Sequence, residues 1–215
     1  VVLSSTYFGQ LTYVFFDVLF TDQRSARIVF ELFGSSTPKA CEHFRLMCAL
    51  PNARFRNVHI QPINQMSASV GDNLQPMVQM SLNDERPPTN HDTPYLLSVP
   101  RGDATAQFSI TFTSVPMFDA TRMVIGRAVS GLDVLDAMRL LGQNVPSATQ
   151  AANPLVAIVS CGQLDSNGNE MDRSLAIQAS RSVAPPSQQS GASPSSVIQQ
   201  VARPAPQQPA AQPQQ

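Results

Sequence analysis

Two short alternating runs with a turn between them constrain the fold more than any other stretch of this chain. In Gln107-Phe108-Ser109-Ile110-Thr111-Phe112-Thr113, residues 109–113 switch between polar and apolar at each step, the period of a half-buried strand. Residues 122–127 form the second run, in which Arg122, Val124 and Gly126 alternate with Met123, Ile125 and Arg127. Pro116 and the pair Asp119-Ala120 punctuate the turn between them. If the chain carries a site, these two strands are expected to form its floor.

Runs of the same kind recur along the chain. Residues 12–20 and 26–33 are dense in β-branched and aromatic side chains and flank the turn signal Thr21-Asp22-Gln23, which predicts a hairpin. Residues 55–72 are expected to hold a strand and a loop, and residues 95–99 and 155–161 further strands. The polar stretch 73–92, with Pro87-Pro88, reads as exposed loop. Only two windows carry a helical period. The first starts at Pro38, with Thr37 as its cap, and runs to about Leu50, placing Cys41, Phe44, Met47 and Cys48 on one face. The second spans residues 132–141 with Leu132, Leu135 and Met138 on one face and Gly142 ending it. Many short strands with few helices suit a barrel or a sandwich.

Composition narrows the function. The 42% hydrophobic content suffices for one sizeable core. Fourteen basic residues balance fifteen acidic ones, so the basic face of a direct nucleic-acid binder is not expected. No apolar run approaches the ~20 residues of a membrane-spanning helix. No basic-then-apolar leader follows Val1, so no signal peptide is expected. Cys41 and Cys48 lie seven apart on one helix, ~10 Å along its axis, too far to bridge. With Cys161 they read as reduced, buried thiols of an intracellular protein. His43, His59 and His91 have no metal-ligand spacing, and no metal or cofactor is expected. Residues 1–11 read as a leader. From Asp165 onward Ser, Gln, Pro and Ala dominate, so residues 165–215 are expected to be a disordered low-complexity tail. Asp165-Ser166-Asn167-Gly168-Asn169 looks faintly like a calcium loop. Glu170 and Ala176 occupy the positions where such a loop needs Gly and Glu, and a solvated turn is the better reading.

Three groups of residues together resemble the cyclophilins, a family of peptidyl-prolyl cis-trans isomerases. They are Gln107-Phe108-Ser109-Ile110 with Asp119 ahead of Val124-Ile125-Gly126, the helix entry from Glu31-Leu32-Phe33 through Pro38-Lys39 to Glu42-His43-Phe44, and the closing Ser160-Cys161-Gly162-Gln163-Leu164. The resemblance covers residues 12–164. It implies a mainly β fold, a closed eight-stranded antiparallel barrel capped by two α-helices.

The resemblance also marks where the chain departs from the family. Isomerases of this kind lower a barrier of ~18–20 kcal/mol that arises from amide resonance. An apolar seat for the proline ring and a fixed cation beside the twisting amide are required, with no nucleophile or metal. Aligned on Phe55, the family's catalytic arginine falls on Asn57, with Arg56 one position before it. Aligned back from Gly71-Asp72, its apolar pair falls on Met66 and Ser67 and its glutamine on Ser69. Pro100-Arg101 replaces a small-residue pair. Gln107 and Phe108 are retained, whereas the aromatic floor is Ser109. The remaining peptide-binding positions are Met117, Phe118 and Arg122. Loss of one preorganised donor typically costs ~10²–10³ in rate. The expectation is a cyclophilin-like domain that has lost isomerase activity and serves as a docking subunit of a larger intracellular assembly. Its partners are other proteins, proline-containing segments among them. The alternative is an active isomerase using Arg56, Arg101 or Arg122 as its cation.

Overall fold

The computed structural model describes residues 11–50, 53–71, 74–76 and 78–172. In chain order it comprises β1 (Thr12–Phe20), β2 (Ser25–Leu32), α1 (Pro38–Ala49), β3 (Val58–His59), β4 (Ser67–Val70), β5 (Leu96–Pro100), β6 (Phe108–Thr111), a 3₁₀ turn (Pro116–Ala120), β7 (Arg122–Ser130), α2 (Leu132–Asn144), α3 (Ser147–Ala152) and β8 (Val156–Leu164).

The eight strands form one antiparallel sheet in the order β3-β8-β1-β2-β7-β5-β6-β4. Its two ends nearly meet. Beyond β3 the chain passes from β8 to β4: the Ile60 N–H donates to Val156 O at 2.9 Å, the Gln61 N–H to Ser69 O at 2.8 Å, and the Ser69 N–H to Pro62 O at 3.1 Å. The mainly β, nearly closed barrel therefore stands as expected, and β1 and β2 pair as the expected hairpin, with Val14 opposite Phe30 and Phe16 opposite Ile28.

An aromatic cluster fills one part of the barrel. Phe16 stacks on Phe108 with centroids 5.4 Å apart, Phe55 meets Phe108 edge-on at 4.9 Å, and Phe44 from α1 lies 5.2 Å from Phe55. Each such contact adds about 0.5–1.5 kcal/mol beyond the area that it buries. Cys41, Met47 and Cys48 seal the same end with Phe44, as the helical period predicts.

Several expectations need correction. The strand expected from Phe55 begins at Val58. Phe55 is drawn into the aromatic core, and residues 54–57 turn through Asn57 at φ 59°, a left-handed conformation that Asn tolerates. A third helix, α3, joins the two expected. Gly142 does not end α2; it lies inside it, where a Cβ would come within 2.8 Å of the Asn64 backbone nitrogen. Thr37 makes no side-chain cap to α1. The Glu85 carboxylate does so from a distant loop, accepting the Ala40 N–H at 3.0 Å and the Lys39 N–H. Stretch 73–92 is accordingly not all exposed: Leu82, Glu85 and His91 are buried.

The first residues of the expected tail, 165–172, are among those described. Residues 165–172 fold back, with Met171 N–H donating to Gln163 O at 2.9 Å and Glu170 paired with Arg27 at 2.6 Å. Asp165 accepts the N–H groups of Asn167 and Asn169 in a compact turn. Residues 1–10 of the expected leader and 173–215 of the expected tail lie outside the described residues.

Candidate functional site

β4, β6, β5 and β7 present two faces. Ala68, Val70, Phe108, Ile110, Leu97 and Val99 belong to the barrel core. The alternate positions pair across the strands on the other face. Ser69 lies opposite Ser109, Ser109 opposite Ser98, and Ser98 opposite Val124. The Ser69 and Ser109 hydroxyls are 2.8 Å apart and hydrogen-bonded. Ser98, Ser109 and Val124 are wholly buried. β6 is thus covered on both sides, although its sequence alternates like a half-exposed strand. The position where the resemblance places an aromatic floor is a closed hydroxyl pair, and Ser98 Oγ beside it makes no hydrogen bond.

The far wall of this row is the 3₁₀ turn. Met117 projects from it into solvent and Phe118 is half-buried. The turn is held by His91, which meets the Phe118 ring edge-on at 5.6 Å, and by Asp119, whose Oδ1 accepts the His91 backbone N–H at 2.9 Å and faces Nδ1 at 2.6 Å. Desolvation pulls the Asp119 carboxyl up, but the hydrogen bonds and charge of His91 outweigh it and hold the group below its ordinary range. Arg122 lays its guanidinium over Phe118, 5.3 Å from the centroid. Arg101 is exposed, with Nε donating to Asp119 O at 3.0 Å and its backbone N–H to Thr121 O at 2.9 Å.

The near wall is the hairpin formed by residues 58–70. Met66 stands exposed at its tip, and its carbonyl accepts the Phe112 N–H at 2.7 Å. Gln61 and Pro62 lie opposite Ser69, joined by a cis peptide bond. Gln61 Oε1 is buried and makes no hydrogen bond. Gln61 was reached neither by the count forward from Phe55 nor by the count back from Gly71-Asp72; only its backbone pairing with Ser69 brings it here.

The structure sets Ser69, Ser109 and Arg122 on β4, β6 and β7, and Met66, Arg101, Met117 and Phe118 on the turns next to these strands. It does not bring Arg56 or Asn57 there. Both are exposed on the turn before β3, where the Asn57 N–H donates to Ile158 O of β8 at 2.7 Å. Phe108 points into the core, and Gln107 is half-buried just ahead of β6. Beyond Gln107, a shallow cavity of about 270 Å³ is lined by Gln79, Met80, Ser81, Asp103 and Ala104. Among the described residues no cluster of His, Cys, Asp or Glu could hold a metal ion, and no helix is long and apolar enough to cross a membrane.

The sequence that builds the barrel is similar to known proteins. Residues 15–163 match the family described as cyclophilin type peptidyl-prolyl cis-trans isomerase/CLD. A peptidyl-prolyl cis-trans isomerase, cyp11, of Rhizopus delemar is 32% identical over 173 residues, covering 70% of this chain and 50% of that protein. The chain therefore spans about half the length of the curated relative that it matches.

Proposed function

The chain belongs to the cyclophilin-type peptidyl-prolyl cis-trans isomerase family, and from that premise we propose a groove that binds extended protein segments with little isomerase turnover. Proline-containing segments are among its ligands, and the domain serves as a docking subunit within a larger intracellular assembly. The Ser69–Ser109 hydroxyl pair carries this reading. A proline ring needs an apolar seat, and a hydroxyl pair weakens that grip. Catalysis also needs a cation beside the amide. Arg56 is on an outside turn, and Arg122 lies over Phe118. Exposed Met66 and Met117 still offer adaptable apolar contacts to a peptide.

A second reading has support of its own. The Rhizopus relative bears the name of an isomerase, and Gln107, Phe108 and Arg122 remain at the groove strands. In that reading Arg122 leaves the Phe118 ring when substrate enters and stabilises the rotating amide.

A coupled assay on short X–Pro peptides, run beside a binding titration with the same labelled peptides, separates the two. Saturable binding with no rate above the uncatalysed one is the expected result. Turnover abolished by Arg122→Ala or Arg56→Ala, but not by Asn57→Ala, overturns it in favour of the enzyme. Absence of both binding and turnover removes the peptide groove altogether.

A further inference from the structure

The seam of the barrel is closed by one side chain. Ile63 pairs with Ala68 across the hairpin, and the bonds of that pair run through its neighbours: the Asn64 N–H donates to Ser67 O at 2.9 Å and the Ser69 N–H to Pro62 O. In an antiparallel ladder the N–H and C=O of such a residue point outward, away from the partner strand. Those of Ile63 point where β3 has parted from β8 and no strand follows. Left alone, they would be an unpaired, buried sheet edge.

Gln150 of α3 takes the place of the missing strand. Its Oε1 accepts the Ile63 N–H at 2.8 Å, and its Nε2 donates to Ile63 O at 2.7 Å. Nε2 also donates to Val145 O at 2.8 Å, which ties the amide to the α2–α3 junction. The side chain is 1% exposed, a rare burial for glutamine, and every hydrogen-bonding group that it directs at the hairpin is used. Gly142 of α2 brings the same hairpin close from the other side, against the Asn64 backbone.

We infer that Gln150 is a positioning residue for peptide binding, acting through the hairpin that carries Gln61, Met66 and Ser69; this rests on the peptide-binding reading above. The hydrogen bonds of Gln150 go to Ile63 and Val145, neither of them a residue proposed to meet the peptide. It sets how far the near wall stands from the 3₁₀ turn, because Ile63 lies between the Gln61–Ser69 pairing and the Met66 tip. Loss of the amide frees Ile63 to move and widens the groove at Met66.

The test measures the dissociation constant of a fluorescein-labelled Gly-Ala-Pro-Ala-Gly peptide for the full chain and for Gln150→Leu. The expected result is roughly tenfold weaker binding by the variant. Repeating the comparison in a Met66→Ala background should shrink that factor towards one, whereas a Met117→Ala background should leave it intact. A merely structural role predicts the same factor in both backgrounds, and that outcome overturns the inference. So does unchanged affinity in a folded Gln150→Leu chain. If Gln150→Leu does not fold, Gln150→Glu serves. Its carboxylate faces two carbonyl oxygens at neutral pH and weakens binding; protonated near about pH 5 it donates to one of them, and affinity returns relative to the parent chain. No return overturns the inference as well. A parent chain that binds no peptide instead overturns the reading on which the inference rests.

Discussion

His91 and Asp119 meet through one oxygen. Asp119 Oδ1 takes both the backbone N–H and the ring Nδ1–H of a histidine with no solvent exposure. Because Asp119 is a carboxylate, Nδ1 must carry the proton, so the tautomer of His91 follows from its partner. The pair fastens the loop before β5 to the 3₁₀ turn that bears Met117 and Phe118. Asp119→Ala leaves a buried donor unmatched and should cost about 1–3 kcal/mol in urea unfolding. The sign of the pH effect follows from the lowered pKa of Asp119. The pair contributes stability above the ordinary carboxylate value, and that contribution is lost as pH falls through the lower value of the folded state. Acid titration of Asp119→Ala should therefore lack a step that the parent chain shows.

The serine pair makes a different prediction. Ser69→Ala leaves the buried Ser109 hydroxyl unmatched and should cost about 1 kcal/mol or more, whereas Ser109→Ala leaves a half-buried Ser69 that water can reach and should cost less. Removing both should cost less than the sum, because nothing is then left unpaired. Equilibrium unfolding of the two single variants and the double variant gives the coupling directly. Strict additivity would mean that the hydroxyls do not depend on each other.

Glu85 caps α1 across 45 residues of sequence. Glu85→Ala frees the N–H groups of Lys39 and Ala40 and should lower stability by about 1–2 kcal/mol. That corresponds to a fall of roughly 2–8 °C in melting temperature for a domain of this size. Glu85→Gln keeps acceptor oxygen and should recover much of it. Burial raises the Glu85 carboxyl, with the Lys39 and Ala40 N–H groups opposing that rise.

His43 has an Nε2 that is buried without a hydrogen bond, and desolvation lowers its pKa from 6.5. The unfolded chain takes up a proton near that value while the folded ring resists it. Stability should thus decline as pH drops below 6.5 and level off beneath the folded-state value. His43→Leu should flatten this part of the profile, and chemical denaturation at several pH values would show it.

Much of the barrel could be read from the chain because its strands and α1 follow local periodicity. Residues 12–20 and 26–33 pair as a hairpin, and Phe44 and Met47 face the core. What escaped is long-range. Nothing near Glu85 reveals that it caps a helix 45 positions earlier, and nothing near Gln150 reveals that it completes a sheet edge at Ile63. Ser109, Met117, Phe118 and Arg122, expected from the family pattern, lie along β6, the 3₁₀ turn and β7. The count from Phe55 reached Asn57 on an outer turn, while the backbone pairing that sets Gln61 against Ser69 has no local signal in the sequence.

Arg27 of β2 holds Glu170 and Asp17 together, three strands along the sheet from Ser109 of β6. The polypeptide therefore exits the barrel there. These ion pairs hold the described residues up to Asp172 against β1 and β2.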